Sequence, residues 1–155
     1  YLITGNCSMG GLAVLKTILV ALDGSEIQER VIQSLEELQL QQTTKVVLAH
    51  VVPAVELSQE VVSDRPQAVA EGLPYLQIEK QLQSYQAKLS GESVIEIVTG
   101  DPAEEIIRLA NIYQADLIAI GSRGLTGVKR IIQGSVSSQV VENAPCSVLV
   151  VKPAR

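Results

Sequence analysis

The residues best suited to chemistry are Gly121-Ser122-Arg123-Gly124 and, after nine intervening residues, Gly134-Ser135. A phosphate is held by several backbone N–H groups converging on it, which requires that Cβ atoms stay out of the way. Gly121 and Gly124 meet that requirement. Gly134-Ser135 opens a segment in which Val136, Val140 and Val141 recur at helical spacing until Pro145 stops it. A helix start there supplies free N–H groups and the positive end of the helix dipole. Upstream, Asp116-Leu117-Ile118-Ala119-Ile120 carries the apolar run of a buried strand. The order strand, glycine loop, helix N-terminus suits a nucleotide phosphate; it also suits a plain turn followed by Ser135 as an ordinary N-cap. The spacing matches neither G-x-x-x-x-G-K-S/T nor G-x-G-x-x-G.

A second polar turn, Asp23-Gly24-Ser25, ends the continuous apolar run Thr17–Leu22. An uninterrupted run of this length predicts a strand buried on both faces, as in a parallel sheet covered by helices. Ser25 and Gln28 have capping-box spacing, and Ile27, Val31, Leu35 and Leu38 mark the stripe of the helix that follows. Residues 45–52 form a second buried strand, and residues 53 to about 71, with Pro53 and Pro66 and no steady period, read as a long loop. Ile78, Leu82, Tyr85 and Leu89 predict a second helix that closes near Gly91. Residues 94–99 alternate as a strand nearer an edge. Asp101-Pro102 with Glu104 starts a third helix, whose buried face is Ile106, Leu109, Ala110 and Tyr113. After the fourth strand and the glycine loop, Ser147–Val151 is a fifth strand.

Five strands alternating with four helices predict one doubly wound α/β domain with a five-stranded parallel sheet and helices on both faces. Ligands of such sheets bind beyond the carboxyl ends of the strands, where the strand order reverses. With strands one and four as neighbours the order is 3-2-1-4-5, and the Asp23 and Gly121 loops flank one crevice.

At 155 residues with 46% apolar content the chain is long enough for a real core. Its formal charge of −5 opposes a phosphate-backbone binder, and with four Tyr as its aromatics it has no stacking platform for single strands. Cys7 and Cys146 have neither metal nor redox spacing and fit a reducing compartment. No apolar run has the length of a bilayer span, and no basic n-region marks a signal peptide, so the expectation is a soluble cytoplasmic protein without membrane or nucleic-acid partners. Residues 1–14 lack periodicity and read as a native or added N-terminal extension to a domain of residues 15–155.

From about Leu15 to Pro153 the chain resembles the nucleotide-binding universal stress proteins, with an adenine nucleotide α-hydrolase-like fold. The resemblance is carried by residues 18–25, by Leu48-Ala49-His50-Val51-Val52, by the G-x2-G-x9-G-S/T pattern of Gly121, Gly124, Gly134 and Ser135, and by residues 144–151. It implies ATP binding, with Asp23 at the ribose hydroxyls or at Mg²⁺, a role a carboxylate acceptor and hard oxygen ligand can fill. It places Ala21 and Val51 at adenine, adds Ser25 to the site, and wraps Gly121, Ser122, Arg123 and Gly124 around ribose and phosphates. Gly134, Ser135, Val136 and Ser137 would donate to the terminal phosphates. Asp23 as a helix-start charge and Ala21 and Val51 as plain core are the competing readings.

The resemblance also implies a homodimer through an antiparallel pairing of the last strand, Val148, Leu149, Val150 and Val151, although Lys152 and Pro153 could instead blunt that edge. Arg123, Lys129 and Arg130 add positive charge near a triphosphate, or are solvated loop residues; Thr126 stands where many relatives carry glycine. His50, inside a strand with no nucleophile to serve, reads as structural. No catalytic residue is assigned, because no general base stands beside the terminal phosphate. The expected function is a homodimeric, ATP-binding regulatory protein of the stress response. The alternatives are a weak ATPase, an AMP or cyclic-AMP sensor on the same site, and a dimeric interaction module without nucleotide. The downstream partner is not legible.

Overall fold

The computed structural model describes residues 15–54, 67–122 and 136–153. Residues 1–14, most of the expected long loop and the glycine-rich stretch 123–135 lie outside the described residues. The elements run β1 (Thr17–Leu22), α1 (Ile27–Glu37), β2 (Lys45–Pro53), α2 (Gln67–Lys88), β3 (Ser93–Gly100), α3 (Pro102–Tyr113), β4 (Leu117–Gly121), α4 (Val136–Asn143) and β5 (Ser147–Val151). The five strands form one sheet of order β3-β2-β1-β4-β5. Every neighbouring pair is parallel, as the alternation of strands and helices requires.

The long apolar strands are buried because helices cover both faces of the sheet. On one face Ile18, Val20, Val46 and Leu48 pack with Val31, Ile32 and Leu35 of α1 and with Leu82 and Tyr85 of α2. On the other, Leu19, Val47, Ala49, Ile118 and Ile120 pack with Ala103, Ile106, Leu109 and Ala110 of α3 and Val140 of α4. Alternate residues of β1 thus feed two separate cores, and β1 sits in the middle of the sheet, where both are thickest. Edge strand β3 is only half-buried along most of its length, in keeping with its alternating sequence.

α3 starts as its sequence prescribes. The Asp101 side chain accepts the Glu104 N–H at 3.0 Å, Pro102 occupies the first turn, and Gln114 closes the helix in the left-handed region at φ 50°. α1 departs from expectation. Its buried stripe is Gln28, Val31, Ile32 and Leu35, while Leu38 is 37% exposed, because the helix stops at Glu37 and Gln39 turns the chain at φ 51°. α2 begins at Gln67, a few residues earlier than expected. Gly72 and Pro74 fall within it, residues that ordinarily argue against helix. In α4, Val140 is buried while Val141 is 54% exposed, so only one of the two valines faces the core.

At the amino ends of the strands, polar contacts lock the register. The Asp116 carboxylate accepts the N–H groups of Lys16 and Thr17 at 2.9 and 3.0 Å, joining the start of β1 to the start of β4. The Thr44 hydroxyl, fully buried, donates to the Leu15 carbonyl at 2.8 Å. Nearby, Lys45 Nζ lies 5.3 Å from the Tyr113 ring centroid and 3.6 Å from Glu92.

The Tyr113 hydroxyl donates to Glu96, and this bond, with burial, pushes the phenol up to about 12. An unfolded tyrosine titrates near pH 10. A group whose folded pKa is raised contributes stability that is fully present below the unfolded value and lost as pH climbs through the folded one. The stability advantage of the parent over Tyr113→Phe, from urea unfolding, should therefore hold steady below pH 10 and shrink between pH 10 and 12.

Candidate functional site

Pairing of β1 with β4 sets the site. Ala21 lies opposite Ile120 on one side and Ala49 on the other, so the Asp23 turn and the Gly121-Ser122 segment leave the same end of adjacent strands. Neighbouring strands lie about 4.8 Å apart, so the two loops begin side by side. From β1 the chain passes to α1 on one face of the sheet. From β4 it passes to α4 on the other. The cleft between such diverging connections is where an open α/β sheet binds ligands. α4 presents its amino-terminal residues Val136 and Ser137, both half-buried, after β4.

The strand residues behind these two loops are small and apolar. Ala21 and Ala49, small residues side by side, belong with Val51 to the core that α3 and α4 cover, and Val51 is 9% exposed at the end of β2. Ala49 was not singled out from the sequence, and its signal is the small side chain beside Ala21 in the register. His50 pairs with Leu22 on the opposite face, beneath the Asp23 turn, where a Cβ on Gly24 would lie 3.8 Å from its Cε1.

The Asp23 turn is built differently from the capping box that the sequence suggested. Ser25 does not cap α1, which has no side-chain cap. Instead its backbone N–H donates to Asp23 Oδ1 at 2.9 Å and its hydroxyl donates to the same oxygen. A hydroxyl donating to an ionised carboxylate makes a charge-assisted bond, stronger than the one it would accept from a helix N–H. The Gln28 side chain reaches past Ser25 and accepts the Gly24 N–H at 3.1 Å. Gln28 is 4% exposed, on the apolar stripe of α1. Burial foremost, and then the charge of Glu29, raise the Tyr85 pKa. A polar residue on an apolar helix stripe was the signal that this side chain supports something.

Gly121 also has a role the sequence did not show. A Cβ on it would lie 2.7 Å from Ile27 Cγ2 and 3.4 Å from Val31 Cγ2. Its missing side chain lets the first turn of α1 settle over the end of β4, which brings the Asp23 turn to the β4 loop. The Ser122 N–H donates to the Val151 carbonyl at 2.7 Å, tying that loop to the end of β5. Arg123, Gly124, Gly134 and Ser135, like Thr126, Lys129 and Arg130, lie outside the described residues. Among the described residues, Ala21, Asp23, Ser25, Val51, Gly121, Ser122, Val136 and Ser137 all lie at the carboxyl end of the sheet. Val148, Leu149, Val150 and Val151 form β5, at the sheet's margin. No helix among the described residues is long and apolar enough to cross a membrane.

A doubly wound parallel sheet with two specialised loops at its switch point defines a class of ligand-binding α/β domains. The universal stress protein family matches residues 15–152, and the chain belongs to that family. It is 32% identical to a universal stress protein of Methanocaldococcus jannaschii over 98% of this chain and 91% of that one. Among solved structures, the hypothetical protein MJ0577 superposes with a TM-score of 0.78 at 27% identity, covering 92% of this chain and 99% of the other. The same fold is shared by a universal stress protein in complex with cAMP (TM-score 0.64, 19% identity, 90% and 98% covered). It is also shared by an Arabidopsis thaliana family protein with AMP bound (TM-score 0.61, 23% identity, 90% and 92% covered).

Filling the space at Gly121 should act on the fold before it acts on any ligand. Gly121→Val is expected to cost about 1–3 kcal/mol in urea unfolding, as overpacking of a tight contact does. Adding Ile27→Ala should return part of that loss.

Proposed function

We propose that this protein is a homodimeric, cytoplasmic regulatory protein that binds an adenine nucleoside triphosphate with Mg²⁺ between the β1 and β4 loops. The observation that carries the reading is the convergence of the Asp23 turn and Gly121-Ser122 at adjacent strand ends, beside the small apolar residues Ala21 and Ala49. In this reading the base lies on Ala21 and Val51, and Asp23 accepts from the ribose hydroxyls. Ser122, Val136 and Ser137 face the phosphates, together with Arg123, Gly124, Gly134 and Ser135. The residues present suit such a ligand: a small-residue floor for a flat ring, a carboxylate acceptor and the start of a helix for anions. Relatives of the same fold solved with cAMP and with AMP support an adenine nucleotide as the ligand class.

Among the described residues no three His, Cys, Asp or Glu side chains gather as a metal site. Mg²⁺ commonly takes one or two carboxylates with phosphate oxygens and water, so Asp23 and the phosphates would suffice. Bound there, the cation would neutralise phosphate charge. The assigned residues bind and orient, and none of them is given a catalytic step.

Thermal unfolding with Mg-ATP, AMP, cAMP and GTP tests the reading. A ligand at 100 times its Kd adds about 2.7 kcal/mol. For a domain of this size that raises the midpoint by roughly 5–10 °C. A rise with Mg-ATP that Asp23→Ala diminishes is expected; a larger rise with AMP or cAMP would keep the site and change the ligand, and no rise with any adenine nucleotide would sink the proposal. For the assembly, light scattering should give twice the monomer mass for the parent and the monomer mass for Val150→Lys. A folded Val150→Lys that stays dimeric would remove β5 from the interface.

A further inference from the structure

We propose that Ser25 is a positioning residue that fixes the Asp23 carboxylate for a ribose, so that recognition of the sugar hydroxyls depends on a side chain that touches no ligand. The inference rests on the adenine-nucleotide reading above and deepens it. Asp23 is the first residue past the end of β1, next to the β4 end that Gly121 and Ser122 leave. An aspartate just past a strand end, with an exposed side chain, would ordinarily sample several rotamers. Here Oδ1 receives two donors from one residue, the Ser25 N–H at 2.9 Å and the Ser25 hydroxyl. Two bonds to a single oxygen restrict both side-chain torsions of Asp23.

The turn that makes this contact is itself held from beneath. Gly24 has φ 81°, a left-handed conformation that glycine adopts without strain, and its N–H is taken by Gln28 at 3.1 Å. Gln28 is buried on the stripe of α1, so the turn is braced from that helix. Bracing of this kind is not needed to start α1, which has no side-chain cap. It does hold a carboxylate still. A preorganised acceptor discriminates between ligands with and without a hydroxyl, because the hydroxyl binds without first ordering the acceptor.

The test compares Mg-ATP with Mg-2′,3′-dideoxy-ATP by calorimetry on the parent, Ser25→Ala and Ser25→Thr, with unliganded thermal midpoints as the control for folding. The parent should bind ATP roughly tenfold or more tightly than the dideoxy analogue, the scale of one hydrogen bond to a charged group. Ser25→Ala should lose most of that preference, and Ser25→Thr, which keeps the hydroxyl, should restore it. A Ser25→Ala protein with the parental preference overturns the inference, as does one that loses affinity for both nucleotides equally. A parent that binds both nucleotides equally well also overturns it, while leaving the nucleotide site standing. A parent that binds neither nucleotide fails at the earlier step and overturns the nucleotide reading itself, and this inference with it.

Discussion

The close approach of α1 to the carboxyl end of β4 is the contact on which the rest of the site depends. It exists because residue 121 has no side chain: Ile27 and Val31 occupy the space a Cβ would need. In a doubly wound sheet the two strands at the switch point send their chains to opposite faces, which tends to separate their loops. Packing of α1 over Gly121 counters that separation on one face, and the Ser122–Val151 bond anchors the other loop to the next strand. The side-by-side placement of the two loops is thus a by-product of core packing. A glycine that looks like a phosphate-loop residue is, among the described residues, first a helix seat.

Much of this architecture was legible in the residues. Strands β1 and β5 fall on the residues their apolar runs marked, since a run buried on both faces leaves little freedom in where it ends. α3 begins where Asp101 and Pro102 say it should, because its cap is local and needs no tertiary partner. The strand order, expected from the residues on the condition that strands one and four are neighbours, is the one observed. What escaped the sequence was non-local. The start of α2 is set against Gly72 and Pro74, which local propensity disfavours. Gln28 and Ser25 stand at capping-box spacing, but a carboxylate two residues upstream offered Ser25 a stronger acceptor than a backbone N–H would have been a donor.

Two polar residues buried in contrasting ways show how the fold treats charge. Gln28 is nearly inaccessible, yet its amide oxygen accepts the Gly24 N–H, and among the described residues no buried side-chain polar atom lacks a partner. At the other end of the sheet Tyr113 and Glu96 pair on the margin of the α3 face, beside Lys45. The first arrangement braces the Asp23 turn and the second joins a helix end to an edge strand. Cys146, half-buried near Asp116, has its thiol pKa raised by burial and then by that carboxylate, which favours an inert thiol over a reactive thiolate.

The Asp116 clamp gives the sheet a datum. One carboxylate receives the N–H groups of both Lys16 and Thr17, so the first residues of β1 are zeroed against the first residues of β4. From that origin each strand is counted out in steps of about 3.3 Å, and the two loops at the far end arrive level only if the counts agree. A one-residue slip would stagger them by one such step and turn every side chain of the strand to the other face. The alignment of the site is therefore specified a full strand length away from it, by a side chain that has no other business with a ligand.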